Sequence, residues 1–279
     1  MDKEPGLWPE VDLHAIKAEY EGWVAVLRTW PEPTKPPEEE FLGLGETVEA
    51  GDVTYRIVGD PEEEWSADNK AVISRAFALA LNGRHAWILR SAARTADPES
   101  ERRRAILIAE ADLLAEGLPG LPPLLAAETA PGSAVVIIEV PSHTTMGGFY
   151  AGRGREAEAV RVLGAGLGRL CTGLASLHSR GLAHGDLGLD SIMTDREGRL
   201  FLRDTGQAVL GDAEPAEDVQ RLAELIHLTV TGRLPVPLVS ASVLNPAVTE
   251  RFARALGRAL SPQPEERGSV EDLAMGLCP

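Results

Sequence analysis

Lysine is almost missing from this 279-residue chain. Only Lys3, Lys17, Lys35 and Lys70 carry an ammonium group, so any chemistry that requires one has four candidates. Cysteine is scarcer still: Cys171 and Cys278 stand alone. Two thiols in helix-like segments do not make a disulfide framework, and a reducing, cytoplasmic compartment is expected. No apolar run reaches the roughly 20 residues of a membrane span. The start, Met1-Asp2-Lys3-Glu4-Pro5, lacks the charged and apolar regions of a signal peptide. Basic charge is also in deficit, with 27 Lys and Arg against 43 Asp and Glu and a net charge of -16. Such a field excludes nucleic-acid binding through phosphate contacts and docking on anionic lipid. It leaves protein partners and cationic small molecules open, and it says nothing about oligomeric state.

What is present falls into two parts. Asp12 is placed to cap a short helix carrying Leu13, Ile16, Tyr20, Trp23, Val24 and Leu27. The stretch from Pro31 to Glu40, with four prolines and a Glu38-Glu39-Glu40 run, reads as a linker with little capacity for a core. Residues 1–46 are therefore expected to form an extension and 47–279 a second domain. Short β-type runs follow at Val53 to Val58, Ala71 to Leu79 and His85 to Arg90, with Asn82-Gly83 as a hairpin signal between the last two. A helix is expected from about Glu99 to Glu116, then strands at Pro123 to Ala127 and Ala134 to Val140. Beyond Gly148 the pattern is helical. Val160, Leu163, Leu167, Leu170, Leu174 and Leu177 recur in steps of three and four, the stripe of a buried helix. Further helices are expected at about Ala216 to Thr231, Pro246 to Leu260 and Ser269 to Leu277.

Two stretches in this order carry chemistry. Leu182-Ala183-His184-Gly185-Asp186-Leu187 closes the leucine-rich helix, and Asp204-Thr205-Gly206 lies eighteen residues beyond Asp186. The linked series resembles the eukaryotic-type Ser/Thr protein kinase domain. Asp218 at the head of a helix and Ser261-Pro262-Gln263-Pro264-Glu265-Glu266-Arg267 near the end also match it in place. The resemblance implies an α+β, two-lobed fold. A small antiparallel-sheet lobe with one helix would span 47–139, and a larger helical lobe 140–279. It implies ATP and magnesium as ligands, with Asp186 accepting the substrate hydroxyl's proton and Asp204 holding the metal. Ser191 stands where a second metal ligand is expected, Glu110 where the inserted helix supplies a glutamate, and Glu139 at the hinge between lobes.

The departures are equally specific. Trp87-Ile88-Leu89-Arg90 replaces the Val-Ala-Ile-Lys strand. Arg90 keeps the charge in a planar fork that does not substitute for a lysine's point charge; pairing with Glu110 and contact with phosphate are both open readings. Lys70-Ala71-Val72-Ile73 resembles the lysine-bearing second strand of the with-no-lysine kinases, while a solvent-facing lysine is the alternative. No Gly-x-Gly-x-x-Gly covers the phosphates; Val58-Gly59-Asp60-Pro61-Glu62-Glu63-Glu64-Trp65 is expected to occupy that turn. Gly185 and Gly188 replace basic residues of the catalytic loop. Asp218 follows Asp204 by only fourteen positions, so the activation segment is shortened and lacks an Ala-Pro-Glu motif. These departures point to a pseudokinase with a regulatory or scaffold role, a protein partner, and weak or absent ATP and magnesium binding. An active divergent Ser/Thr kinase, or a small-molecule phosphotransferase resembling the aminoglycoside kinases, is the alternative.

Overall fold

The computed structural model describes residues 42–66, 71–93, 98–142, 144–237 and 239–277. The chain divides at Glu38/Glu39, and all described residues belong to the second unit. The N-terminal helix and linker read from the sequence lie outside the described residues.

The first half folds as an antiparallel sheet. Its strands are β1 (Thr47–Ala50), β2 (Val53–Ile57), β3 (Glu62–Trp65), β4 (Ala71–Ala80), β5 (His85–Ala93), β6 (Leu124–Ala130) and β7 (Ser133–Val140). They are ordered β1-β2-β4-β5-β7-β6, with β3 also pairing along β4. Five strands were expected and seven are found. The short β1 and the acidic β3 escape an alternation test because neither has two buried apolar positions. Glu62–Trp65, read as part of a turn, is instead a strand in register with Val72 to Arg75, so the turn between them begins only after Trp65. The Asn82-Gly83 signal holds. Gly83 takes φ +81°, and Asn82 Oδ1 accepts the Arg84 N–H at 3.0 Å in a tight reversal between β4 and β5.

Helix α1 (Pro98–Ala115) crosses one face of this sheet. Trp87, Leu89, Val136 and Ile138 on that face join Leu107, Leu113 and Leu114 in a core continuous with the helical half. The opposite face carries a second cluster, in which Leu42, Tyr55, Ile57, Ala78, Ala86, Ile88 and Ile137 are buried. The two faces alternate residue by residue, as a pleated strand requires.

The second half is helical. After α2 (Met146–Tyr150), the expected leucine stripe forms α3 (Ala157–His178), burying Leu163, Leu167, Leu170, Leu174 and Leu177. The hairpin β8 (Ile192–Thr194) and β9 (Leu200–Leu202) follows, then α4 (Gln207–Leu210), α5 (Pro215–Thr231), α6 (Ala241–Leu244), α7 (Glu250–Ala259) and α8 (Val270–Leu277). Pro215 opens α5, and Gly232 closes it at φ 72°, the left-handed conformation that glycine adopts without strain. No helix among the described residues is long and apolar enough to cross a membrane.

Candidate active site

The His184-Gly185-Asp186 loop is held from below by one buried carboxylate. Asp218, in the first turn of α5, accepts the N–H of His184 at 2.6 Å and of Gly185 at 3.0 Å, and meets His178 Nε2 at 2.9 Å. Burial alone would raise this carboxyl. The hydrogen bonds from His178, Gly185 and His184 outweigh it and hold the group below the usual carboxylate range. His184 is fully buried, and its Nε2 lies 2.8 Å from the Arg203 carbonyl. A carbonyl only accepts, so Nε2 carries the proton and Nδ1 accepts the Asp186 N–H at 3.3 Å. His184 thus ties the loop that presents Asp186 to the end of β9 that presents Asp204.

Asp204 is the one non-glycine residue at positive φ among the described residues, at 58°. Backbone conformations of this kind are held by their surroundings. Here Gly206 lies so close to α1 that a Cβ on it would stand 2.3 Å from the Ile106 carbonyl. The Thr205 N–H and hydroxyl donate to Glu110 Oε1 at 2.9 and 3.3 Å. Glu110 is buried, and its carboxyl is pushed up to about 7 by desolvation first and by the Asp204 charge second, with the Thr205 bonds pulling the other way.

Asp186, Asp204 and Glu110 line one cavity of about 190 Å³, together with Arg75, Arg103 and Leu89. Of the residues singled out from the sequence, these three converge. The others do not. Arg90 is paired with Ser74 and Val135 across the sheet and lines a different hollow, with Leu42, Glu46 and Glu128. The expected Arg90–Glu110 pair does not form, because Arg90 shares the β5 face of Ala86 and Ile88 while Leu89 points to Glu110. Glu139 lies within β7 near the crossing to the helical half, and its carboxylate accepts Arg84 Nε at 3.2 Å. Ser191 Oγ is engaged by Gly188, accepting its N–H at 2.7 Å and donating to its carbonyl at 3.1 Å. Lys70 lies outside the described residues.

Besides Arg102 and Arg103 of α1, a cation reaches the site from the preceding strand. Arg75, opposite Leu89 in the β4–β5 register, places Nε 3.8 Å from Asp204 Oδ1 and donates through Nη1 to Glu64 Oε2 at 3.2 Å. Arg203 Nε donates to the other Asp204 oxygen at 2.9 Å, while its guanidinium lies 4.7 Å from the Trp87 ring centroid. Glu64 also accepts Arg103 Nη1 at 3.3 Å, which joins β3 to α1. Alternation along β4 would have placed Arg75 on the face of Ile73 and Phe77. Nothing in the sequence alone aims Arg203 at its neighbour.

These contacts decide how well the cleft suits a magnesium-bound nucleotide. Two guanidinium groups face the Asp204 carboxylate and Ser191 is turned to its own loop, while Asp204 Oδ1 is buried without a hydrogen-bond partner.

The fold itself has clear relatives. Two double mutants of the Mycobacterium tuberculosis PknI kinase domain superpose on 85% of this chain and 98% of theirs, with TM-scores of 0.57 and 0.56 at 20% and 21% identity. This chain has the protein-kinase fold. In sequence, CBL-interacting protein kinase 25 of Oryza sativa subsp. japonica is 26% identical over 144 residues, covering 38% of this chain. The match spans 28% of that protein's length. No family model matches the chain. Within the kinase fold, the curled sheet with α1 is the small lobe, the helices from α3 onward are the large one, and the cavity lies between them.

Proposed function

We propose that this protein is a kinase-fold regulatory domain that transfers little or no phosphate and works by binding a protein partner. The observation that carries this reading is the position of Arg75 and Arg203 on the two oxygens of Asp204. A divalent cation there would have to displace both positive groups and replace the Arg203 hydrogen bond to Oδ2. The Trp87–Arg203 stack and the loss of Ser191 as a free ligand point the same way. In this proposal residues 1–46 form an extension to a kinase-fold domain over 47–279, acting in the cytoplasm.

A second reading keeps the chemistry. Asp186 and Asp204 still line one cavity, and Arg75 stands in it as a cation for phosphate. Release of Arg75 from Asp204 would then give a divergent kinase acting on protein, or a phosphotransferase acting on a small cationic substrate.

Calorimetric titration of the folded chain with ATP, with and without magnesium, separates the two. The regulatory reading expects no magnesium-dependent heat at millimolar nucleotide. Magnesium-dependent binding that disappears in Asp204→Asn would overturn it in favour of the second.

A further inference from the structure

The sheet of the small lobe ends in β1 on one side and β6 on the other, and its curl brings both ends to one hollow of about 390 Å³. The hollow lies on the face away from α1, where Val48, Ala126 and Val135 continue the second cluster. β6 has no strand beside its outer edge. In an antiparallel ladder alternate residues turn their N–H and C=O away from the paired strand, so this edge presents a row of free donors and acceptors. Among the described residues one side chain bonds a β6 carbonyl, that of Arg104 at Ala130, where the strand ends. Edges of this length are ordinarily blunted by lysine or proline. Residues 126–130 hold neither, and 127–130 are exposed.

Charge selects what pairs with this edge. Glu46, Glu49 and Glu128 line the hollow and are exposed. Among the described residues, no ion pair or side-chain hydrogen bond engages any of the three. Arg90, the one guanidinium in the lining, stands across from Val135, which is itself opposite Glu128, and it forms an ion pair with none of them. The lining therefore carries an acidic surplus, to which the chain's net charge of -16 adds at longer range. A second copy of the chain is a poor occupant, since self-pairing along β6 would bring two such sets of carboxylates together.

We propose that the free edge of β6 takes up an extended basic segment of a partner protein as an added strand. The segment's backbone pairs with that of β6. Lysine or arginine at every second position lays its stem on Val48 and Val135 and its charged head beside Glu46 and Glu128. This added strand supplies the partner of the regulatory reading, on which the inference rests. It needs no nucleotide, so ATP calorimetry and peptide binding fail separately.

The test is selection of random linear phage-displayed peptides on the full chain, followed by fluorescence anisotropy with a synthetic copy of the recovered sequence. Lys or Arg at alternate positions, with no proline between them, is the expected consensus. Binding should fall by about tenfold or more in Glu46→Lys/Glu128→Lys. Both residues are exposed, so the variant should keep the wild-type melting curve. N-methylation should weaken binding at alternate peptide amides and be tolerated at those between, a pattern that side-chain contact alone does not produce. An acidic or neutral consensus, recovery of no peptide, binding indifferent to the double variant, or N-methyl losses without the two-residue alternation would overturn the proposal. So would a concentration-dependent dimer in sedimentation that the peptide dissociates, since a second copy of this chain would then hold the edge.

Discussion

Arg75 Nε stands 3.8 Å from the Asp204 carboxylate, although Arg75 lies on the strand before the one expected to supply the site's cation. Asp204 Oδ1 is buried without a hydrogen-bond partner, and Arg75 is the cation that faces it. Replacing Arg75 by Gln leaves one carboxylate oxygen without a cation, so Arg75→Gln should acquire a manganese-dependent rise in melting temperature that the wild type lacks. Arg90→Gln, across the sheet, should behave as wild type. A differential scanning fluorimetry titration with MnCl2 checks both, and equal behaviour of the two variants would remove Arg75 from the account.

Glu110 gives a pH signature. Its carboxyl titrates near 4.5 when unfolded and is pushed up to about 7 when buried beside Asp204. Between those values the native state binds more protons than the unfolded one. This contribution to stability is therefore complete below about 4.5 and is lost as pH rises to about 7. Glu110→Gln keeps an acceptor for Thr205 and abolishes the charge. The variant should melt several degrees above wild type at about pH 8 and converge with it near pH 5, with each kcal/mol worth about 2–4 °C. Parallel melting curves across that range would show that Glu110 does not titrate there.

Asp218 works in the opposite direction. Its folded value lies below the ordinary one, so its contribution is present above about 4 and is lost as pH falls through the folded value. Asp218→Asn should cost about 3 kcal/mol at neutral pH, because an amide donor then faces the N–H groups of His184 and Gly185. Urea unfolding measures the loss, and the variant should also lack the acid limb of the wild-type stability curve.

Two glycines of α3 should respond with opposite signs. A Cβ at Gly166 would lie 2.1 Å from the Gly198 carbonyl, whereas at Gly168 it would meet nothing within 4 Å. Gly166→Ala should destabilise by about 2–3 kcal/mol through forced movement of the β8–β9 turn. Gly168→Ala should stabilise by about 0.5–1 kcal/mol through helix propensity. Chemical denaturation of the pair decides whether helix contact or propensity governs each position.

Much of the architecture was legible because it repeats. The leucine steps of α3, the Asn82-Gly83 reversal and the alternation along β4 and β5 are local patterns that burial enforces. The spacing of Asp186, Asp204 and Asp218 was legible for the same reason, since the loop and its brace are close in sequence. Arg90, for which pairing with Glu110 and contact with phosphate were both open, lies on the sheet face away from Glu110, for a physical reason that was itself in the sequence. A strand changes face at every residue, and matching a four-letter motif by composition ignores which face each letter takes.

The sequence by itself determined the helices, strands and turns, because propensity and periodicity are properties of neighbouring residues, and its resemblance to the kinase domain implied the two-lobed plan, the shortened link before Asp218 and the roles of the acids. Only the tertiary structure decided that Arg75 and Arg203 share Asp204, that Thr205 donates to Glu110 and that Ser191 turns back to Gly188. Each depends on a distance across the fold. Electrostatic and hydrogen-bond energies change over one or two ångströms, and sequence spacing fixes no such length between residues from different elements.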